Sequence, residues 1–226
     1  MEIRWIINDS VNKQTVKRLS EVLNIDESLA ILLVQRGVTD FDSAKNFFRP
    51  SLSHLHNPFL MKDMDKAVDR IIKAIQLGEK ILIYGDYDVD GTSAVALLYS
   101  FICEIIGSDF KNMVEFYIPD RYAEGYGISD QGIEYCKDNN INLLISLDCG
   151  IKAIEEIAYA KEKGIDFIVC DHHVPDDELP PAVAILNAKR KDSTYPFEHL
   201  SGCGVGFKFM QAFAMSNGIP FSELIP

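Results

Sequence analysis

No stretch of the chain approaches the ~20 consecutive apolar residues of a membrane-spanning helix. The opening residues, MEIRWIINDS, include Trp5 and Asp9 and lack the apolar block of a secretion signal. There is no CxxC pair; the five cysteines, at 103, 136, 149, 170 and 203, are scattered. Most sit in apolar surroundings, which points to reduced, buried thiols in a cytoplasmic protein with no membrane partner. Basic residues are in short supply, 22 against 34 acidic, giving a net charge of −12. That balance excludes a protein that coats nucleic acid by bulk charge. It leaves room for an enzyme whose metal ions and a local basic patch meet phosphates. The chain has no P-loop and no GxSxG elbow. Its Gly-rich run, Gly202-Cys203-Gly204-Val205-Gly206-Phe207, has Phe where a dinucleotide fingerprint needs its last Gly, and it follows no clear strand. No internal repeat or low-complexity segment is present.

What the chain does have is enough for a sizeable core: 226 residues, 47% hydrophobic and 25% charged, suit one large or two small domains. Residues 1–78 contain no strong strand. Helical spacing runs from Val11 to Val22 and from Ile25 to Gln35, with Asp26 as a cap and Gly37 as a stop. Asp40 or Asp42 opens a third helix ended by Pro50, and 51–60 reads as a loop. Asp63 or Asp65 caps a fourth that stops at Gly78. A helical lead-in over 1–78 is therefore expected. From Lys80 strands and helices alternate. Strands are expected at 80–84, 113–118, 142–147, 166–170 and, briefly, 183–186. Helices are expected at 92–106, 130–139 behind Ser129, 151–163 and 204–216. This rhythm implies right-handed crossovers, and hence an α/β fold with a parallel β-sheet flanked by helices over 79–226.

Chemistry concentrates at the ends of three strands. After ILIYG come Asp86, Asp88 and Asp90; after LLISL comes Asp148; after FIVC come Asp171, His172 and His173. Ligands of an open parallel sheet bind just beyond the carboxyl ends of its strands. Any one of these aspartates alone reads as a helix cap or a turn residue. Capping does not cover the set, since Asp86 and Asp88 lie too early for a helix at 92–106 and only Asp90 is well placed. Clustered carboxylates repel unless a cation neutralises them. Mostly carboxylate with one or two imidazoles suits Mn²⁺ or Mg²⁺, without a thiolate to favour structural zinc. Alternation along the strands turns Cys149 and Cys170 toward the core. The carboxylates suffice for two ions sharing a bridging Asp148, an arrangement suited to in-line displacement at phosphorus.

GDYDVDG, the Asp148 strand end and DHH at 171–173 together resemble the DHH phosphoesterase superfamily, and within it the RecJ-type single-strand-specific exonucleases. The likeness extends to QRGVTDFDSAKNFFRPSLSHLHNPFLMKDMDKAVDRI, DRYAEGYGIS at 120–129 and SGCGVGFK at 201–208. DHH alone is weakly specific; the four blocks in order, with this lead-in, are highly specific. The resemblance implies metal ligation by Asp86, Asp88, Asp90, Asp148 and His172. Asp171 would be a supporting acid, and His173 a contact to the substrate phosphate or to a ligand; Asp148, Asp171, His172 and His173 form the implied catalytic set. It further implies Mn²⁺- or Mg²⁺-dependent 5′ to 3′ hydrolysis of single-stranded DNA to 5′ mononucleotides, with two ions in the intact protein. Such an enzyme would serve DNA repair and recombination, with single-strand-binding protein and a recombination helicase as partners.

The chain departs from that pattern at Tyr84, where many relatives carry His, and at Ala188, where Pro often stands. The family's further metal-ligating Asp in a Leu-Asp-Leu-like segment, its second catalytic domain and its oligonucleotide-binding domain have no counterpart before Pro226. An N-terminal fragment with weak metal binding and little or no activity of its own is expected. In the loop after the second strand, Arg121 is a candidate to grip a phosphate, and Tyr122 and Tyr126 to stack on bases; the tyrosines read equally well as loop packing. Lys189-Arg190-Lys191 reads as a solvated loop ahead of a phosphate contact. His199 and Lys208 are weaker candidates, and His54 and His56 receive no role. Two other functions compete: a small-substrate DHH phosphoesterase acting on nanoRNA, a cyclic dinucleotide or pyrophosphate, and a metal-free binding module. The long lead-in and the EGYG block favour the exonuclease.

Overall fold

The computed structural model describes residues 4, 6, 10–107 and 112–220; Trp5 and Asp9 lie outside them. The chain divides into two compact units, Met1–Leu55 and His56–Pro226. In the first, α1 (Lys13–Leu23), α2 (Glu27–Val34) and α3 (Phe41–Phe48) start at side-chain caps: Asn12, Asp26 and Asp40. Each cap oxygen accepts from amides that the helix leaves unpaired. Val16, Leu19, Ala30, Leu33, Val38 and Ala44 form this unit's core.

In the second unit α4 (Met64–Leu77) precedes β1 (Ile81–Gly85), α5 (Val89–Ile106), β2 (Val114–Tyr117), α6 (Asp130–Asp138) and β3 (Leu143–Leu147). Then come α7 (Ile154–Glu162), β4 (Asp166–Cys170), β5 (Ala184–Leu186) and α8 (Gly202–Ser216). The strands form one parallel sheet in the order β2-β1-β3-β4-β5. β1 and β3 are buried along their whole length, which is why they read as unbroken apolar runs. Their alternate residues feed two cores. Ile81, Ile83, Leu143 and Ile145 pack with α4, α5 and α8; Leu82, Tyr84 and Leu144 pack with α6 and α7.

The division falls after residue 55, ahead of the expected boundary at 78. α4 buries Met64, Ala67, Val68, Ile71 and Ala74 in the same core as Ile83 and Leu186. Arg70 fixes it further through Glu79 at 2.7 Å and Asp166 at 2.6 Å. α5 also begins at Val89, three residues before its expected start. Its N-cap is Asp88, whose Oδ1 accepts from the Gly91 amide at 2.9 Å. The expectation that only Asp90 could cap this helix is therefore corrected. Helical backbone runs straight out of the acidic loop because Gly91 comes close against Asp86, where a Cβ would lie 2.5 Å from its carbonyl oxygen.

Candidate metal centre

The sheet register builds the site. Gly85 pairs with Leu147, Leu147 with Cys170, and Cys170 with Leu186. The next residues, Asp86, Asp148 and Asp171, therefore emerge side by side. Each aspartate continues the ladder by one bond: Asp86 N to Leu147 O at 3.3 Å, Asp148 N to Cys170 O at 2.9 Å, Asp171 N to Leu186 O at 3.0 Å. The chain leaves β1 toward β2 on one side and β3 leads to β4 on the other, so the cluster lies at the reversal point of the sheet.

Two groups of ligand atoms converge there. Asp86, Asp88 and Asp148 bring one oxygen each within 4.8 Å of one another, and so do donor atoms of Asp148, His172 and His173. Asp148 belongs to both groups. Its backbone is left-handed, at φ 62°, a conformation that costs a non-glycine residue about 1 kcal/mol or more and marks sites where geometry is imposed. It does not cap α7, which has no side-chain cap. Burial, then the charges of Asp90 and Asp88, push the Asp148 carboxyl up to about 7. Burial also raises that of Asp86. Oδ1 of Asp86 and Oδ1 of Asp148 are buried without a hydrogen-bond partner among the described residues. His172 Nε2 approaches Asp148 Oδ1 to 3.1 Å and Asp90 Oδ2 to 3.9 Å. Converging carboxylate oxygens, two of them buried, are costly as bare charges and fit a divalent cation. Hard oxygen donors with imidazole suit Mn²⁺ or Mg²⁺. The Cys149 thiol instead donates to Leu147 O, and Cys170 is packed in the core.

Asp90 stands outside both groups. Its two oxygens accept from the amides of Gly202 and Cys203, both at 2.8 Å, in the first turn of α8. Asp171 is fully paired: Oδ1 accepts from the amides of His172 and His173 and lies 2.7 Å from His173 Nδ1, while Oδ2 accepts from Ile151 N at 3.0 Å. Burial alone would raise its pKa, but these bonds hold it below the ordinary aspartate value. Asp171 in turn raises the His173 pKa and directs Nε2 outward, 3.4 Å from the Tyr126 hydroxyl.

The loop after β2 is bound to the sheet from below. The Tyr84 hydroxyl donates to Gly127 O at 2.8 Å, and its ring stacks on Tyr117 at 5.5 Å. Glu124 accepts from Asp120 N, the Tyr117 hydroxyl and Ser129 Oγ. On top, the Arg121 guanidinium lies 5.2 Å from the Tyr87 ring, and Tyr87 meets Tyr126 edge-on at 6.4 Å. Arg121 and Tyr126 thus border the cluster, whereas Tyr122 stands 95% exposed. Within the basic run Arg190 is not solvated. It is buried on Asp63 at 2.6 Å, Asp192 and Ile185 O, while Lys191 pairs with Asp177. Lys208 is buried too, its Nζ donating to His56 O and Gln211 Oε1. His199 is exposed beside Glu198. Sequence reasoning overlooked Tyr87, Glu124 and Asn187. Asn187 is buried at the end of β5 and donates to His173 O at 2.9 Å; the rule that looked past the other strand ends would have found it.

Residues 80–225 match the DHH family, N-terminal domain. The single-stranded-DNA-specific exonuclease RecJ of Bacillus subtilis (strain 168) is 41% identical over 93% of this chain and 26% of that protein. RecJ of Haemophilus influenzae is 35% identical over 72% of this chain and 28% of that protein. Among solved structures, exonuclease RecJ bound to manganese superposes with a TM-score of 0.62 at 31% identity, covering 71% of this chain and 39% of that one. RecJ of Thermus thermophilus in complex with Mn²⁺ shares the fold, with a TM-score of 0.70 at 24% identity, over 92% of this chain and 28% of that one. The chain thus spans about a quarter of the length of these curated relatives.

Proposed function

The chain belongs to the DHH family, and from that premise we propose that it carries the metal-binding part of a single-stranded-DNA exonuclease. The observation that carries the reading is the convergence of Asp86, Asp88 and Asp148, with Asp86 Oδ1 buried without a hydrogen-bond partner and Asp148 Oδ1 approached by His172 Nε2 at 3.1 Å. Asp86, Asp88, Asp148 and His172 would hold Mn²⁺ or Mg²⁺. Asp90 joins them with the lone pairs that α8 leaves free, since a carboxylate offers about four acceptor positions. Ions held there would supply a nucleophile at neutral pH and would neutralise charge developing at phosphorus. The chain's own groups position the strand. Asp171 fixes the His173 ring, so that Nε2, when protonated, donates to a phosphate oxygen. Arg121 grips a phosphate of the incoming strand, and Tyr126 and Tyr122 offer faces for base stacking. In this reading the enzyme works 5′ to 3′ in DNA repair and recombination in the cytoplasm, beside single-strand-binding protein and a recombination helicase. Residues 1–78 act as a helical lead-in and 79–226 as the DHH phosphoesterase domain. No helix among the described residues is long and apolar enough to cross a membrane.

The test is a nuclease assay on the full-length protein with 5′- and 3′-labelled single strands and each metal in turn. Release of 5′ mononucleotides from single-stranded DNA, abolished in Asp148→Ala, is the expected result. Turnover of short RNA or pyrophosphate with DNA untouched would move the reading to a small-substrate phosphoesterase.

A further inference from the structure

We propose that the first turn of α8 is the positioning element of the metal centre, with Gly202 as its central residue; this rests on the metal reading above. α8 contributes no carboxylate or imidazole to either ligand group, yet it touches both sides of the cluster. Its Gly202 and Cys203 amides each donate to one oxygen of Asp90, at 2.8 Å. They belong to the helix amides that have no partner within the helix. Ser201 Oγ takes the next amide, that of Gly204, so the first turn is fully engaged. On its other side Gly202 lies against Asp148. A Cβ there would stand 2.3 Å from Asp148 Oδ1 and 2.5 Å from both its Cβ and Cγ.

Asp148 cannot give way without leaving the cluster. It is buried, its backbone is held in the left-handed region, and Cys170 O takes its amide. A methyl group at 202 therefore turns the Asp148 carboxylate away from Asp86 and Asp88. α8 also packs along α5 through pairs such as Phe101 and Phe213, whose rings meet edge-on at 5.9 Å. The helix that carries Asp90 and the helix that grips it thus move as one body. The bare Cα of Gly202 lets loops from β1 and β3 meet at the separation a shared ion requires.

Gly204→Ala is an internal control, because its Cβ would meet Leu200 at 3.4 Å and Ser201 Oγ at 3.6 Å, both ordinary contacts, and neither Asp90 nor Asp148. Mn²⁺ binding is measured by calorimetry and by electron paramagnetic resonance of free Mn²⁺, with melting followed in parallel. Gly202→Ala should weaken Mn²⁺ binding at least tenfold, and Gly204→Ala should match wild type. Cys203→Pro is the second variant: it removes the amide that serves Asp90 but no bond within the helix, since proline is tolerated in a first turn. It should lower Mn²⁺ affinity severalfold with only a modest fall in melting temperature, and it decides the matter if Gly202→Ala does not fold. Folded variants that bind Mn²⁺ as wild type does would overturn the positioning role alone. Absence of Mn²⁺ binding by the wild-type protein would overturn the metal reading, and this inference with it.

Discussion

Replacing Asp148 by Asn should stabilise the protein without metal and destabilise it with metal. Oxygens of Asp86, Asp88 and Asp148 lie within 4.8 Å of one another. Two unit charges at that separation repel by about 3.5 kcal/mol at an effective dielectric of ~20. Asp148 answers by holding its proton to about pH 7. An aspartate whose carboxyl is raised on folding contributes most below its unfolded value, and stability falls as pH rises between ~4 and ~7. At pH 8 Asp148 is charged and the repulsion is fully expressed. After relaxation and the loss of one charge, the metal-free variant should gain roughly 1–3 kcal/mol. Between about pH 4 and 7 its stability should fall less steeply than that of wild type, by the share that Asp148 contributes. With Mn²⁺ at 100 times its dissociation constant, the wild-type protein gains about 2.7 kcal/mol, or ~5–10 °C in Tm for a chain of this size. The variant should show little of that shift. Differential scanning calorimetry at pH 8, with chelator and then with Mn²⁺, gives the four melting temperatures. If the metal-free variant melts no higher than wild type, and Mn²⁺ raises both equally, charge repulsion at Asp148 is not what the ion relieves.

Tyr84→Phe removes the hydroxyl bonds to Gly127 and Ser129; it should cost about 1–2 kcal/mol and raise KM for single-stranded DNA while leaving Mn²⁺ affinity unchanged, and an unchanged KM would detach that loop from substrate binding. Arg190→Met leaves Asp63 to the exposed Lys66 alone and Ile185 O without its donor, and should cost about 1–3 kcal/mol in urea unfolding; a loss below ~0.5 kcal/mol would return Arg190 to the solvated surface. Burial lowers the Lys208 pKa to about 8, so between there and the ordinary lysine value the unfolded chain binds the extra proton. The Lys208 contribution should therefore rise with pH across that window, while the buried thiols, held protonated by the fold, pull the other way; it is read as wild type minus Lys208→Met, and a difference flat in pH would refute it.

The fold was legible because β1, β3 and β4 are apolar runs that end at Gly85-Asp86, Leu147-Asp148 and Cys170-Asp171, and every helix described except α7 opens on Ser, Asp or Asn. The cluster was legible for a related reason: strand ends in a parallel sheet share one edge, so the sequence order of Asp86, Asp148 and Asp171 carries spatial meaning. Side-chain bonds between distant segments were not legible. Asp90 sits at the right spacing for a ligand or a cap, and nothing local says that its oxygens are taken by amides more than a hundred residues away. Arg190 looks solvated between two lysines, and only the position of Asp63 in the fold shows otherwise. The inclusion of α4 in the second compact unit, ahead of residue 78, has a similar origin. α4 has the composition of its helical predecessors, and its membership in the sheet's core depends on long-range packing.

The bonds made by the amides of Asp86, Asp148 and Asp171 bear on how the site fails. These protons lie in the ladder itself, so their exchange with deuterium should be as slow as that of the strand interiors. Asp86, Asp148 and Asp171 then have no loosening step separate from the sheet. Under denaturant the acidic edge should persist while the loop bearing Arg121 and Tyr122 frays, and it should be lost only when the whole sheet comes apart.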